Sequence, residues 1–554
     1  MVNIFGIVIF LRMGWIVGTA GIAHAVLLLI ICTALALITV FSAIGICDRC
    51  RIEAGGIYSL ISHVLGGQIG GAVGLLYAFG QAVATGLVAV GFGESMARLF
   101  NTESSGAIKL ISITTLILLS GINAAGVRWV IRLQLVLLAF LALALFDFIL
   151  GAFFTYDPED GVGKFSSERF SINSAPHYEG ANCSNFGHNT YTKDQSFFSV
   201  FGVFFANFLG VLAGVNMASD LKNPHKSIPL GELSAIGVSS TTCFIFILIL
   251  GSIVDREFLL CNYMINERVS LTKVMFLTGL YISSLSSIIG SLLGTPRVIQ
   301  GIAAEGIIPV LAPLSKGEGP NKNPVRAAMV LMGVAIVFAL LGDLNQLAIL
   351  STMPFLITYG FVNYAYVSLA MSYDLKAVHE ETKKAIRRKS YGSTVSVSEP
   401  AETPKSNTVL DDLFPERKAE DGDPSEIYSQ PTSWYAIFSN RYISFVGAIV
   451  NLTILIFINP MFAMLHFMAF AMIYYYIGRA FPAVSQGVTL FSLTHMFKTV
   501  WSKAETLIET DKQGLIIDSG NIGYDVSTAR LNEENPDYST RKPYHHTKEV
   551  RDFD

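Results

Sequence analysis

Long apolar runs separated by short polar segments recur along most of the chain. An apolar opening at residues 2–18 is followed by eleven further predicted spans: residues 22–46, 66–97, 107–126, 129–154, 196–219, 230–254, 269–293, 325–344, 346–371, 442–459 and 461–478. Runs of about 18 or more apolar residues with few charges are typical of transmembrane helices. The pattern therefore predicts an all-α polytopic membrane protein with twelve spans.

Composition supports this class and argues against others. Apolar residues make up 52% of the 554 residues and charged residues 14%, whereas soluble domains carry about 25% charged residues. The formal net charge of −4 argues against a nucleic-acid partner. No nucleophile–base set or metal quartet is recognisable, so an enzyme is not expected.

Basic residues are distributed asymmetrically between the loops. Ten of them follow spans 2, 4, 6 and 8: Arg49, Arg51, Arg128, Arg132, Lys222, Lys226, Arg297, Lys316, Lys322 and Arg326. Since short cytoplasmic loops carry an excess of Lys and Arg, this side is predicted to be cytoplasmic.

The same alternation organises the rest of the chain. Residues 1–371 are predicted to form a ten-span transporter core, and residues 442–479 to form spans 11 and 12. The polar residues 372–441 are predicted to form a disordered cytoplasmic loop, and residues 480–554 a short cytoplasmic tail. The plasma membrane is the expected location.

The polar loop 156–195 is predicted to face outside. It contains Asn182 in an Asn-Cys-Ser glycosylation motif. Cys183 and Cys261 both lie in predicted extracellular loops, so a disulfide between them is an option. Cys47 and Cys50 form a C-x-x-C without a second pair, which favours ordinary cysteines over a metal site.

Charged and hydroxyl side chains inside the spans are candidate functional groups. Charges within a membrane are costly, so Arg12 in span 1 and Glu94 in span 3 are predicted to form an ion pair, while Asp147 in span 5 has no obvious partner. The segment YISSLSS in span 8 carries four serines. Such serines either bond back to their own helix or bind a cation.

Two spans carry glycine-containing interruptions at matching places. NIFGIV (3–8) in span 1 and ANFLGVL (206–212) in span 6 lie five spans apart, as a 5+5 inverted repeat requires. Broken helices offer N–H groups to anions and carbonyls to cations near the bilayer midplane. The alternative is helix packing, which we favour for the glycines of LGGQIGGAVG in span 3.

Four segments, NIFGIVIFLRMGWIVGTAG, GFGES, GVNMASDLKNPHKSIPLG and GTPRVIQGIAAEGIIP, resemble the cation–chloride cotransporters, solute carrier family 12. The loop between spans 10 and 11 and the ending PYHHTKEV are similar to the branch of the family's eighth, atypical member. The resemblance implies the amino acid–polyamine–cation transporter (LeuT-like) fold, a 5+5 inverted repeat plus two helices. It also implies secondary active cotransport of Cl⁻ with Na⁺, K⁺ or both by alternating access, without any cofactor.

The resemblance also implies which residues bind the ions. The chloride ligands would be Gly6, Ile7, Val8, Gly210, Val211, Leu212 and the hydroxyl of Tyr359. The sodium ligands would be Ser286 and Ser287, with Ser283 beside them, and the carbonyls of Val2 and Phe5. Arg12 and Glu94 match an external gate pair.

The potassium site of the family matches less well. The carbonyls of Asn3 and Ile4 are retained, but the family's tyrosine in span 3 is replaced by Val88, and its proline and threonine in span 6 by Ala206 and Leu209. Because hydroxyl ligands are lost, sodium coupling is favoured over potassium coupling. Asn207 beside the break is expected either to supply an oxygen or to cap a half-helix.

Two other functions are kept open. Small replacements near the break would also suit an organic solute such as an amino acid, polyamine or nucleotide-like metabolite, and a non-transporting partner that regulates other cotransporters is a further alternative. A homodimer or an association with a related cotransporter is expected. In the family a half-helix precedes Asn3, where this chain has only Met1 and Val2, so we predict a truncated chain that fails in a transport assay.

Overall fold

A computed structural model describes residues 7–50, 56–100, 102, 104–125, 127–181, 183, 194–218, 224–317, 323–391, 435–481 and 487–488. The regular structure in these ranges is helical, apart from the isolated β-bridges Asp157–Val162 and Val162–Val254. The predicted all-α architecture is therefore confirmed.

Seventeen α-helices lie in the described ranges. They are α1 (Ile7–Leu11), α2 (Met13–Arg49), α3 (Ile57–Leu65), α4 (Gly67–Leu99), α5 (Ser105–Ala125), α6 (Val127–Phe154), α7 (Ser167–Ser174), α8 (Phe197–Phe205), α9 (Ala213–Asn216), α10 (Pro224–Ile253), α11 (Arg256–Cys261), α12 (Ile265–Val269), α13 (Lys273–Ala304), α14 (Val325–Leu341), α15 (Leu344–Tyr391), α16 (Arg441–Ile458) and α17 (Pro460–Ala480). Short 3₁₀ helices occupy Ala206–Phe208, Pro309–Leu314 and Ala436–Phe438.

Nine helices of the described chain are long and apolar enough to cross a membrane. They contain the segments Met13–Arg49, Gly67–Leu99, Ser105–Ile122, Val136–Phe154, Lys226–Ile253, Lys273–Ala304, Leu344–Asp374, Arg441–Ile458 and Pro460–Ala480. The apolar segments Phe197–Phe208 and Val325–Leu341 are shorter and occupy predicted spans 6 and 9.

Spans 1 and 2 meet at a single glycine. Helix α2 runs through both of them, but Gly21 has φ 69° and ψ 165°, which is not helical. A Cβ at this position would lie 2.5 Å from the carbonyl oxygen of Ala175. Residues with a Cβ avoid this backbone region, so the reversal between the two spans depends on glycine.

Helix α15 extends beyond the predicted end of span 10. It continues from residue 371 to Tyr391, so the first part of the predicted loop 372–441 is helical, which corrects the expected boundary. The sequence AVHEETKKAIRRK is rich in strong helix formers and places Glu380 four residues before Lys384. Residues 392–434 lie outside the described ranges.

The spans differ sharply in burial. In the most apolar window of α4, 83% of residues are buried, whereas the corresponding windows of α5 and α17 are each 17% buried. Glycines let α4 approach its neighbours: a Cβ at Gly74 would lie 3.0 Å from Ile302 of α13, and one at Gly70 would lie 2.5 Å from Ser62 of α3. Helix α4 is therefore a central element, and these span 3 glycines lie at helix contacts, as predicted.

Three side chains near the predicted extracellular side gain partners. Cys183 and Cys261 form a disulfide with a Cα–Cα distance of 5.5 Å, while Asn182 lies outside the described ranges. Asp147, for which the sequence suggested no partner, accepts hydrogen bonds from the backbone N–H of Thr272 at 3.1 Å and from its hydroxyl. Asp147 therefore joins the end of α6 to the start of α13.

The two cysteines of the C-x-x-C pair, Cys47 and Cys50, are not joined in a disulfide. No group of three or more His, Cys, Asp or Glu residues suited to a metal ion is found in the described part of the chain.

Candidate transport site

Span 6 is interrupted at its centre. Helix α8 ends at Phe205 and is followed by the 3₁₀ turn Ala206–Phe208, and helical structure resumes only at α9. The hydroxyl of Tyr359 on α15 donates to the carbonyl oxygens of Phe208 at 2.9 Å and Leu209 at 3.2 Å. These bonds satisfy carbonyls that the break releases. The interruption predicted from ANFLGVL is therefore present, and Tyr359 stabilises it.

The interruption borders a cavity of about 50 Å³. It is lined by spans 1, 3, 6 and 8 through Ile7, Val8, Gln81, Ala84, Leu87, Val88, Ala206, Leu209, Gly210, Ala213, Asn216, Met217, Ser287, Gly290, Ser291, Gly294 and Thr295. A water needs roughly 10–15 Å³ measured in this way. The cavity therefore has room for a small ion with a few waters in this conformation.

Several predicted ligands meet at this cavity. Ile7, Val8, Gly210 and Ser287 line it, although they come from three different spans. Val211 and Leu212 follow Gly210 and are buried. Tyr359 is also buried and reaches the site through the carbonyls of the break rather than through the lining.

The remaining predicted ligands of span 1 cannot be placed. Val2, Asn3, Ile4, Phe5 and Gly6 lie outside the described residues. The break expected in span 1 therefore remains a prediction.

The serines of span 8 are not equivalent. Ser284 donates back to the carbonyl oxygen of Leu280 at 2.7 Å, which is the ordinary behaviour of a serine in a membrane helix. The hydroxyl of Ser286 is buried and has no hydrogen-bond partner among the described residues. An unsatisfied buried hydroxyl costs about 1–3 kcal/mol, so Ser286 is the serine that most needs a ligand. Ser283 is fully buried.

The three positions that depart from the family's potassium site lie together. Val88, Ala206 and Leu209 all line the cavity. Val88 and Leu209 present hydrocarbon there, where the resemblance implies hydroxyl groups. Asn207 is 1% exposed, and its amide donates to the carbonyl oxygen of Phe204 at 3.0 Å. Its Oδ1 has no partner in the described chain. Asn207 therefore caps a half-helix, while its oxygen stays unused.

A polar network not anticipated from the sequence lies next to the cavity. Ser291 donates to Gln81 Oε1 at 3.3 Å, and Gln81 donates to the hydroxyl of Tyr77 at 3.0 Å. Asn216 Nδ2 donates to the same hydroxyl at 2.7 Å, and Asn216 Oδ1 accepts the backbone N–H of Ile57 at 3.2 Å. The network joins α13, α4, α9 and α3. Its sequence signals were the amide side chains of Gln81 in span 3 and Asn216 in span 6.

The predicted ion pair is present. Arg12 Nη2 lies 3.1 Å from Glu94 Oε2. Arg12 Nε also donates to Asn345 Oδ1 at 2.9 Å, and the guanidinium carbon lies 3.9 Å from the centre of the Tyr263 ring. Asn345 and Tyr263 were missed by the sequence analysis, since neither carries a charge. Arg12 thus connects span 1 to spans 3 and 10 and to the segment between α11 and α12.

A second polar contact joins α3 to the end of α13. The hydroxyl of Tyr58 donates to Glu305 Oε2 at 2.5 Å. Burial, and then the bond to Glu305, raises the pKa of Tyr58, so this phenol remains a donor at neutral pH. The contact lies on the predicted cytoplasmic side and fixes α3 against the core.

Comparison with known proteins places this fold and site in a class. Residues 1–394 match the amino acid permease family. The helical architecture with an interrupted span agrees with this match, so the chain has the amino acid–polyamine–cation transporter fold.

Similarity to individual proteins identifies the family. Solute carrier family 12 member 8 of Xenopus laevis is 35% identical, over 99% of this chain and 90% of its own length. The Homo sapiens member 8 is 34% identical over 99% and 92%, and the Homo sapiens member 2 is 31% identical over 67% and 34%. The chain belongs to solute carrier family 12, the cation–chloride cotransporters, and is a multi-pass membrane transporter.

Proposed function

We propose that this protein cotransports sodium and chloride by alternating access around the cavity between spans 1, 3, 6 and 8. The observation that carries the proposal is that Ile7, Val8, Gly210 and Ser287 line one cavity of about 50 Å³. This volume suits inorganic ions better than a metabolite, since ligand pockets for organic molecules usually measure about 300–1,000 Å³.

Chloride binds at the interruption of span 6. In the turn, the N–H of Val211 bonds the carbonyl of Phe208, and the N–H of Ala213 bonds the carbonyl of Gly210. The N–H groups of Gly210 and Leu212 form no such bond in the described structure. Free backbone N–H groups at a helix break attract anions. A second chloride position at Gly6, Ile7 and Val8 remains a prediction from the family resemblance.

Sodium binds on span 8. Na⁺ is a hard cation and prefers oxygen ligands. The unsatisfied hydroxyl of Ser286 and the cavity-lining hydroxyl of Ser287 supply two, and the carbonyls of Val2 and Phe5 are proposed to supply two more. Potassium is disfavoured because Val88 and Leu209 stand where the family resemblance implies hydroxyl-bearing ligands.

The gates alternate around this site. Arg12 with Glu94, Asn345 and Tyr263 closes the predicted extracellular side, since Arg12 is 4% exposed. On the cytoplasmic side, release of the ions requires α9 and α3 to separate, which breaks the bond between Asn216 and Ile57. Spans 1, 2, 6 and 7 would then rock against spans 3, 4, 8 and 9.

Labelled chloride uptake tests this function. Cells expressing the protein should accumulate chloride in a sodium-dependent and potassium-independent manner. Ser286→Ala should raise the sodium concentration for half-maximal uptake by about tenfold, since one hydrogen bond or ligand is worth about 1.4 kcal/mol. Ser284→Ala is the matched control, because Ser284 bonds only its own helix, and it should leave sodium dependence unchanged.

Three outcomes would reject the proposal. Equal effects of the two serine variants would remove Ser286 from the sodium site. Chloride-independent uptake of an amino acid, polyamine or nucleotide-like solute would favour an organic cargo. Absence of flux, with altered flux through a co-expressed family member, would favour a regulatory partner. Plasma-membrane location, glycosylation at Asn182 and a homodimer remain predictions for the same cells.

A further inference from the structure

Glu232 is a buried carboxylate that the proposed ion sites do not use. It lies on α10, inside the apolar segment Lys226–Ile253 that forms span 7. The residue is 5% exposed. Neither carboxylate oxygen has a hydrogen-bond partner within the described chain. This contrasts with Glu94, whose carboxylate contacts Arg12.

The carboxylate lies against the inner half of span 6. It faces the backbone of Gly214 and Val215 without reaching hydrogen-bond geometry, and a Cβ added to Gly214 would lie 2.9 Å from Glu232 Oε1. Ala213 and Asn216, from the same short helix α9, line the ion cavity. Helix α9 therefore contacts both the cavity and Glu232, so its movement changes both environments together.

No described cation lies beside Glu232. The described titratable side chains that interact with it are Cys47 on α2, Tyr77 on α4 and Tyr359 on α15, and all three types are neutral at physiological pH. The terminal amino group of the chain also interacts with it electrostatically. Helix α9 itself, AGVN, carries no titratable side chain.

Helices α7 and α6 also pack on α10, but they contact residues that lie beyond Glu232 in the sequence. Asn173 of α7 contacts the carbonyl of Gly251, and Phe148 of α6 stacks on Phe246. Of the charges on these two helices, Arg169 pairs with Asp255, Asp147 accepts from Thr272, and Glu168 is exposed. Helix α2 also packs on α10 and carries Asp48 and Arg49 directly after Cys47.

A carboxylate ion in such a place is costly, and groups like this become neutral or bind a cation. Close contact with the backbone of α9 favours the smallest ligand. We propose that Glu232 is a proton-binding site: its carboxylate takes up one H⁺ from the cytoplasmic side while α9 rests against it, and releases it when α9 moves and water enters. The reaction is simple protonation, so no further reactant is needed.

The consequence is a proton-linked conformational equilibrium. Low cytoplasmic pH favours the arrangement in which α9 packs on Glu232, and high pH favours separation. This goes beyond the proposed function, because it does not depend on which ion occupies the cavity.

Thermal unfolding of the purified full chain in detergent tests the site without any transport assay. In the unfolded chain a glutamate ionises at about pH 4.3, and the proposed site requires folded Glu232 to hold its proton at higher pH. The folded state then binds more protons, so Tm should fall as pH rises from about 5.5 to 8. Glu232→Gln should remove this Glu232-dependent part of the slope. Glu168→Gln, which changes an exposed glutamate on α7, should retain it.

Chloride flux provides the second measurement. Wild-type flux should vary with cytoplasmic pH by up to about tenfold per unit, the limit for one titrating group, and Glu232→Gln should be nearly pH-independent. An unchanged pH slope of Tm and of flux in Glu232→Gln would overturn the proposal. Loss of the Tm slope in a protein that carries no chloride would support the proton site and reject the proposed function.

Wild-type protein gives a readout if Glu232→Gln does not fold. A protonated carboxyl adds to dicyclohexylcarbodiimide: its proton passes to a nitrogen and its oxygen bonds the central carbon, before rearrangement to a stable N-acylurea. Mass spectrometry should find the adduct on Glu232 in greater amount at about pH 6 than at about pH 8. Equal labelling at both pH values, or none, would contradict the proposal.

Discussion

Arg12 Nη2 lies 3.1 Å from Glu94 Oε2 across 82 residues of sequence. The same guanidinium donates through Nε to Asn345, so it uses two edges of its planar fork on two different spans. A lysine has the same charge but cannot bond in both directions from one plane.

Replacement of Arg12 by lysine should therefore weaken the closed outer gate. We expect Arg12→Lys to lower the free energy of unfolding by about 1–3 kcal/mol, because a hydrogen bond to a charged group is lost in a buried place. Chemical denaturation in detergent measures this change. Arg169→Lys is the control, since its pair with Asp255 is substantially exposed, and its cost should be below about 1 kcal/mol. An equal decrease in the free energy of unfolding in both variants would show that the two-sided bonding of the Arg12 guanidinium is not what stabilises the gate.

Oxygen ligands restored to the cavity wall should create potassium dependence. Val88 and Leu209 line the cavity where the family has hydroxyl-bearing residues. We expect Val88→Tyr with Leu209→Thr to make chloride uptake respond to external potassium. Val88→Phe with Leu209→Val has nearly the same shape without the hydroxyls and should not respond. A potassium response in both double variants, or in neither, would show that these hydroxyls do not decide ion choice.

The cysteines should fall into two classes on alkylation of the unfolded, unreduced protein. Cys183 and Cys261 form a disulfide, whereas Cys32, Cys47, Cys50 and Cys243 are not disulfide-bonded. Mass spectrometry should therefore find maleimide on these four cysteines only. Cys261→Ser should reduce stability by about 2–4 kcal/mol, because it opens a long loop in the denatured state. Labelling of Cys183 in the unreduced wild type would show that the bond is absent.

Gly56 should tolerate no side chain. It has φ +61°, and a Cβ would lie 2.5 Å from Asn216 Oδ1, which accepts the N–H of Ile57. We expect Gly56→Ala to destabilise the protein by about 1–3 kcal/mol through backbone strain and loss of this contact. Gly237→Ala is the control, because a Cβ there meets no atom within 4 Å. Gly237→Ala should be neutral or slightly stabilising. A similar loss of stability in both variants would contradict the prediction for Gly56.

Much of the site could be predicted from local sequence. The break in span 6 was visible in ANFLGVL, and the cost of a charge in a membrane required partners for Arg12 and Glu94. The family resemblance indicated ligands on spans 1, 6 and 8, of which Ile7, Val8, Gly210 and Ser287 share the cavity.

Other features had no local signal. Asn345 and Tyr263 complete the environment of Arg12 although each is an ordinary residue in its own segment. The chain from Ser291 through Gln81 and Tyr77 to Asn216 joins three helices, and its links between helices span 210 and 139 residues of sequence. The continuation of α15 to Tyr391 was missed because polarity was interpreted as a loop, although polar residues form exposed helices equally well.

By itself, the sequence determined the helical membrane class and indicated the break in span 6. These follow from apolar run length and from the residues at each position, which act locally. Only the tertiary structure decided that Ser286 lacks the helix bond made by Ser284, that Tyr359 holds the released carbonyls, and that Glu232 is buried against α9. The reason is that satisfaction of a buried polar group depends on which atoms of other helices pack beside it, and a linear pattern does not contain that information.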